Sequence, residues 1–318
     1  MSPEVAARQP IAVMIDDHEF ARPQSGLNAA SVVWHAPAEF GIPRYMLVFQ
    51  DQIPKGVGPV RSARQYYVEW AAEWRAMYVH AGGSPQAIAT LNAKGQGQWV
   101  YNADEFRWGG RYLWRATDRF PPHNVYTDGK NLRELADVLG AKDEPLDPAW
   151  TFGPDREPAG RPEGGVIRVV YPYETITYRY DRATNRYVRY TCPGVCTAAR
   201  RSQDPQVDRA DGEVVAPKNV VILRMAFGAL DDGHPNKLRL EARNIGTGEA
   251  WISSNGRTVK GTWSKAGPKA PTLLFGPDGA AISLTAGQTF VQVIALDYLF
   301  EVNDGPAPEW KSPGQRSE

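Results

Sequence analysis

The 318-residue sequence predicts an α+β protein, with an N-terminal α/β-type sheet domain carrying helices, followed by a smaller, mostly antiparallel β domain. Three observations carry that expectation. Residues 11–140 alternate short apolar runs with segments of helical spacing, residues 166–303 read almost wholly as strands, and a Pro/Gly/charge-rich stretch at 141–165 divides them. The length agrees, since roughly 100–200 residues per domain makes two domains the natural reading.

Taken in order, residues 1–10 have no periodic pattern and are expected to be flexible. The apolar run 11–15 ends at Asp16-Asp17-His18 and reads as a buried strand, as does 45–49. Tyr66, Tyr67, Trp70, Ala71 and Trp74 recur at helical spacing, so 65–74 is a helix, and 76–79 returns to strand character. Ser84-Pro85 opens a second helix over 85–93, because the serine oxygen can accept an orphan N–H while proline has none to leave unpaired. Asp128 caps a third over 130–139, stopped by Gly140. Past the linker, strands are expected at 166–171, 176–180, 187–191, 220–227, 237–242, 250–253, 258–263, 272–275, 281–284 and 289–296. Asn255-Gly256 and Pro277-Asp278-Gly279 mark turns among them. Residues 304–318 form a loose tail.

The 36 basic and 36 acidic residues cancel, so no global field draws the chain to nucleic acid or anionic lipid, and charge-driven recognition must be local. No stretch approaches the ~20 apolar residues of a membrane-spanning helix. The start MSPEVAARQP lacks the basic and apolar regions of a secretory signal, which leaves open a cytosolic protein or one separated from its leader. Cys192 and Cys196 flank Pro-Gly, a tight-turn pair that favours a small disulfide loop over reduced thiols; a metal site ranks last, for want of further ligands nearby. No cofactor motif is present.

The candidate chemistry gathers in the first module. The two strand-to-helix junctions, Gly58-Pro59-Val60-Arg61-Ser62-Ala63-Arg64 and Gly82-Gly83-Ser84-Pro85, fall on one sheet edge if their strands are parallel neighbours. Helix starts attract anions, and Arg61 and Arg64 in a first turn would add forked donors beside Ser62, Gly83 and Ser84. The alternative is that these arginines face solvent or pair with Glu69 or Glu73. His18 precedes Arg22-Pro23-Gln24-Ser25-Gly26, and His123-Asn124 follows Pro121-Pro122, so both histidines sit on rigid polar loops suited to binding. Arg44 and Arg115 are further donors, while His35 reads as core.

Two sharper readings are weighed against this one. A metal site from Asp16, Asp17, His18 and His123 lacks any helical ligand spacing. A serine nucleophile at Ser84 with His123 as base fails on Pro85, which has no N–H to offer an oxyanion.

The motifs Arg22-Pro23-Gln24-Ser25-Gly26-Leu27, Gly58-Pro59-Val60-Arg61-Ser62-Ala63-Arg64, Gly82-Gly83-Ser84-Pro85 and Pro122-His123-Asn124, in this order, resemble the YerB-like bacterial lipoprotein family, which carries domain of unknown function 3048. The resemblance continues through Tyr180-Asp181, Tyr187, Arg189, Asn219-Val220-Val221 and Gly261-Thr262-Trp263-Ser264-Lys265, with 192–206 standing as an insertion. It implies an α+β domain followed by a β-rich one, and residence outside the cytoplasmic membrane, often through an N-terminal lipid.

Three functions are carried forward in order. The first is an envelope-associated binding or accessory protein whose cleft takes an anionic or glycan-like ligand on Arg22, Gln24, Arg44, Arg61, Ser62, Arg64, Gly83, Ser84, Arg115, Asn124 and His18. An envelope protein partner goes with it. The second is an enzyme on a phosphorylated envelope substrate, with His123 as general acid or base and Asp16 or Asp17 as its partner or as a metal ligand. The third is a structural interaction module.

Overall fold

The computed structural model describes residues 3–144, 149–193 and 204–305. After a short helix α1 (Pro3–Ala6), the first module contains β1 (Ile11–Asp16), β2 (Val32–Pro37), β3 (Pro43–Phe49), α2 (Gln65–Ala72), β4 (Met77–His80), α3 (Pro85–Leu91), β5 (Tyr101–Asp104), α4 (Glu105–Trp108), β6 (Trp114–Arg115), β7 (Val125–Tyr126) and α5 (Gly129–Val138). Beyond it come β8 (Thr151–Gly153), β9 (Val166–Tyr171), β10 (Glu174–Asp181), β11 (Arg186–Pro193), β12 (Asn219–Met225), β13 (Phe227–Ala229) and β14 (Leu240–Ala242). The last strands are β15 (Gly246–Ser254), β16 (Arg257–Lys265), β17 (Leu273–Phe275), β18 (Ser283–Thr285), β19 (Thr289–Ala295) and β20 (Phe300–Asn303).

Both modules feed one ten-stranded sheet in the order β17-β16-β15-β12-β19-β2-β3-β1-β4-β5. The join is the parallel pair of β19 and β2, from Thr289 beside Val32 to Gln292 beside His35. A buried strand such as β2 cannot leave one row of N–H and C=O groups unpaired, and β19 supplies the missing edge. A second sheet, β11-β10-β9-β20, lies against the first.

Strand alternation sorts the core into two layers. Ala12, Met14, Trp34 and Met46 pack with α2 and α3, where the Trp34 and Trp70 rings stack at 4.5 Å. Val13, Ile15, Tyr45 and Leu47 face the other way, toward Leu132 and Leu135 of α5 and Tyr171 and Tyr178 of the second sheet. Cover on both faces explains why β1 reads as a continuous apolar run, buried at every position.

Two ion pairs on opposite sides of the core also join the modules. One is Lys265 of β16, whose Nζ lies 2.8 Å from Glu73 Oε1 at the end of α2 and donates to Ala270 O at 2.5 Å. Thr272 completes the site, its N–H and hydroxyl donating to Glu73 at 3.1 and 2.6 Å. The other pair belongs to the site described next.

The expected parallel neighbours are corrected here. β3 is antiparallel to β1 while β4 is parallel to it, so β3 and β4 end at opposite edges. The two junctions meet because 57–63 runs back across the sheet, bridging Ile15 through Val60 and Gly83 through Ala63. The two helix starts differ from the expected arrangement. α2 begins at Gln65, with Arg64 at its N-cap position and Arg61 upstream in extended chain. Pro85 does open α3, but Ser84 makes no side-chain cap bond and is fully buried. Asp128 caps α5 as expected, accepting from Asn131 N–H at 2.8 Å. No helix among the described residues is long and apolar enough to cross a membrane.

Candidate functional site

Where β1 ends, the two-residue alternation sends Asp16 and Asp17 to opposite sides. Asp16 Oδ2 accepts from His123 Nδ1 at 2.6 Å and pairs with Arg61 Nε at 2.9 Å, while its Oδ1 accepts from the His18 N–H at 3.1 Å. Burial alone would raise the Asp16 carboxyl, but the His123 hydrogen bond and the Arg61 and Arg44 charges outweigh it and hold it below the ordinary carboxylate value. The His18 ring stacks on His123 with centroids 5.0 Å apart, and Phe20 meets His123 edge-on.

Backbone bonds fix this arrangement. Asp16 N–H donates to Pro59 O at 2.9 Å, Arg61 N–H to Met14 O at 2.9 Å, and Val60 N–H to Val125 O at 2.7 Å. Gly58 is needed because the Tyr126 ring lies where a Cβ would stand, 2.5 Å away. Arg119 clasps the His123 loop to the His18 loop by donating to the carbonyls of Phe20, Arg22 and Pro23. Arg61 is thus aimed through its Nε, which is ion-paired with Asp16, and its side chain stays 26% exposed. Its guanidinium pKa is lowered by burial and by nearby Arg44, with Asp16 opposing. The site therefore sets a partly exposed guanidinium beside two imidazole rings.

Of the candidate residues, the structure brings Asp16, His18, Arg61 and His123 together and disperses the others. Arg64 and Arg44 both pair with Glu39, Arg44 at 2.7 Å, with Arg44 also donating to Ser62 O. That removes them as free donors, and their counter-ion is neither Glu69 nor Glu73. Gly83 packs against Ile88 and Ala63, and buried Ser84 offers no surface to a ligand. Ser62 is half-buried and contributes its carbonyl to Arg44. Arg115 and Asn124 bond each other at 3.1 Å, Arg115 also reaching Glu105, so they brace the loop. Cys192 is buried on β11, while Cys196 and most of the 192–206 insertion lie outside the described residues.

Asp17, Arg22 and Gln24 belong to a second, buried cluster. Asp17 accepts from Gln24 Nε2 at 2.7 Å, lies 3.0 Å from Arg22 Nη2, and stands 2.8 Å from His35 Nε2. Arg22 also pairs with Glu174, whose Oε1 lies 3.5 Å from the same His35 nitrogen. Asp17, His35 and Glu174 each place one potential ligand atom within 4.8 Å of the others, but Arg22 already provides the positive charge there. On its other side His35 Nδ1 meets Gln292 Oε1 at 3.0 Å, and Gln292 Nε2 donates to Tyr178 OH at 2.7 Å. His35 is therefore core, as its apolar strand implies, yet it is the polar pivot between the modules. Glu174 and Gln292 escape the sequence reading. The available signal is an acid on the inward phase of a strand, Glu174 preceding buried Ile176, Tyr178 and Tyr180.

Comparison with known proteins places these residues in context. Residues 1–142 match the family described as "Protein of unknown function (DUF3048) N-terminal domain", and 167–291 match its C-terminal domain. The chain is 30% identical over 296 residues to a Bacillus subtilis (strain 168) protein named "Putative lipoprotein YerB", covering 92% of this chain and 82% of that one. The crystal structure of the YerB protein from Bacillus subtilis superposes with a TM-score of 0.79 at 26% identity, covering 95% of this chain and 96% of that one.

Proposed function

We infer that this chain, which belongs to the DUF3048 family, is an extracytoplasmic, membrane-anchored binding or accessory protein that holds an anionic group at Arg61 beside His123 and His18. The location draws support from the lipoprotein name of the Bacillus subtilis relative. The site draws support from one observation: Arg61 is paired with Asp16 at Nε, 2.9 Å away, while its side chain, with two further Nη donor groups, stays 26% exposed. A phosphate or carboxylate would take both in a fork and relieve the repulsion from Arg44.

The experiment is a thermal-shift titration with inorganic phosphate. At a hundred times its Kd, a ligand of the folded state adds about 2.7 kcal/mol. That shift is expected in the wild type and absent in Arg61→Ala. Equal shifts in both proteins would remove Arg61 from the site.

One observation favours a second reading as an enzyme. His123 Nδ1 is held by Asp16 at 2.6 Å, an arrangement that orients the imidazole and leaves Nε2 for proton transfer. Turnover of p-nitrophenyl phosphate by the wild type, abolished in His123→Ala, would raise that reading above simple binding.

An oxidised Cys192–Cys196 pair belongs to the same extracytoplasmic reading, since disulfides persist in oxidising compartments. Iodoacetamide should label neither cysteine of the unfolded, unreduced protein and both after dithiothreitol. Two labelled cysteines without reduction would count against it.

A further inference from the structure

A cleft of about 470 Å³, which His123 does not line, is lined by Ser25, Trp114, Arg115, Thr117, Asp118, Tyr126 and Arg209, among others. One wall is aromatic. Trp114 and Tyr126 are directly paired across the β6–β7 ladder, so their side chains stand on the same face. Trp114 remains 42% exposed, while Tyr126 is buried. The polar part of the lining is Arg209 and Asp118, whose Nη2 and Oδ2 lie 2.5 Å apart, with the Arg209 guanidinium over the Tyr126 ring at 5.9 Å from its centroid.

The two modules build this cleft jointly and hold it in shape. Arg209 comes from the second module, on a turn whose preceding residue, Asp208, accepts from the N–H groups of Gly26, Asn28 and Ala210 at 2.8–3.1 Å. Arg209 N–H itself donates to Gln24 O at 2.8 Å. Asp118 sits on the loop that Arg119 clasps. A ligand would meet a wall positioned beforehand, which lowers the ordering cost of binding.

We propose that this cleft is a saccharide-binding subsite, taking one pyranose ring of a glycan against Trp114 with its hydroxyls on Asp118 and Arg209. A pyranose presents a face of C–H groups, weakly positive and apolar, that stacks on the negative face of an indole, while its hydroxyls point sideways. Each hydroxyl both donates and accepts, so a carboxylate beside a guanidinium satisfies both roles at once. The charge balance points the same way. Arg209 is neutralised by Asp118 and Arg115 by Glu105, so the cleft has no net charge to capture a free anion. Its volume falls in the range of small-molecule sites, about 300–1,000 Å³. The subsite does not rest on the Arg61 reading, and either can fail alone.

Isothermal titration of the full chain with chitotetraose, cellotetraose and maltotetraose tests the proposal. At least one tetrasaccharide is expected to bind. Trp114→Ala should weaken it by about tenfold, Trp114→Phe should keep most of the affinity, and Asp118→Asn should weaken it by about threefold, with Lys130→Ala, exposed on α5, unchanged. Circular dichroism of each variant confirms the fold. No binding of any of the three by the wild type overturns the subsite. So does binding that survives Trp114→Ala, or binding that is lost equally in Lys130→Ala.

Discussion

Arg22→Ala is expected to lower the unfolding free energy by about 3–5 kcal/mol at pH 8, because it leaves two buried carboxylates facing each other without their cation. The Asp17 and Glu174 side chains are 0% and 2% exposed, so water cannot substitute for the guanidinium. The ionisation shifts fix how this varies with pH. Burial would raise Asp17, but Arg22 and His35 outweigh it and hold it well below 3.8, so its contribution is present above that value and is lost as pH falls through the depressed one. Burial would lower His35, yet its hydrogen bonds to Asp17 and Glu174 raise it above 6.5. Its contribution is therefore full below 6.5 and lost as pH rises through the raised value. Glu174 is raised by burial and by Asp17, so it too favours the acid side.

The cluster is thus most stabilising under mildly acid conditions. Urea unfolding of Arg22→Ala at pH 5 should show a smaller deficit than at pH 8, as Glu174 takes up a proton in place of the lost charge. His35→Gln should flatten the alkaline decline of the wild type. A loss under about 1 kcal/mol at pH 8, or the same loss at both pH values, would mean that the quartet does not hold the modules together.

Lys265→Met should cost a comparable amount, about 3–5 kcal/mol, at the other join. The side chains of Lys265 and Glu73 are 0% and 1% exposed, and methionine keeps much of the lysine's apolar volume, so the loss isolates the charge. Burial already raises the Glu73 carboxyl despite Lys265. Without the lysine it should rise further, and the variant should recover stability as pH falls and Glu73 protonates. The double variant Lys265→Met/Glu73→Gln removes both charges, keeps a carbonyl acceptor for the Thr272 N–H and an NH2 donor for the Thr272 hydroxyl oxygen, and should regain most of the loss. If the double variant is as unstable as the single one, the defect is packing rather than an unpaired charge.

The elements that the sequence makes legible are those whose signal is local. The run before Asp16 is strand β1, the Asp128 cap opens α5, and Asn255-Gly256 adopts the positive φ values, 52° and 74°, of a tight hairpin. β2 and β5 carry weak patterns of their own. His35 and Pro37 interrupt the first, and Asn102 and Asp104 the second, and both are strands because neighbours pair with them. Among site residues, His18, Arg61 and His123 stand out on Pro-containing loops, and the structure joins them at Asp16. Arg64 and Ser84 looked equivalent by the same reasoning and are not. Glu39 claims the arginine, and the fold seals the serine inside.

By itself, then, the sequence determined the α+β class, the alternation along each strand, the Asp128 cap, the Asn255-Gly256 turn, and the loops that carry polar residues, since all of these follow from interactions within a few residues. Tertiary structure alone decided that the two modules share a sheet, that Asp16 and Asp17 serve opposite sides, and that Arg22 answers to Glu174, 152 positions away. Ion pairing and burial depend on distance through space, and chain separation carries no record of that distance until the strands are in register.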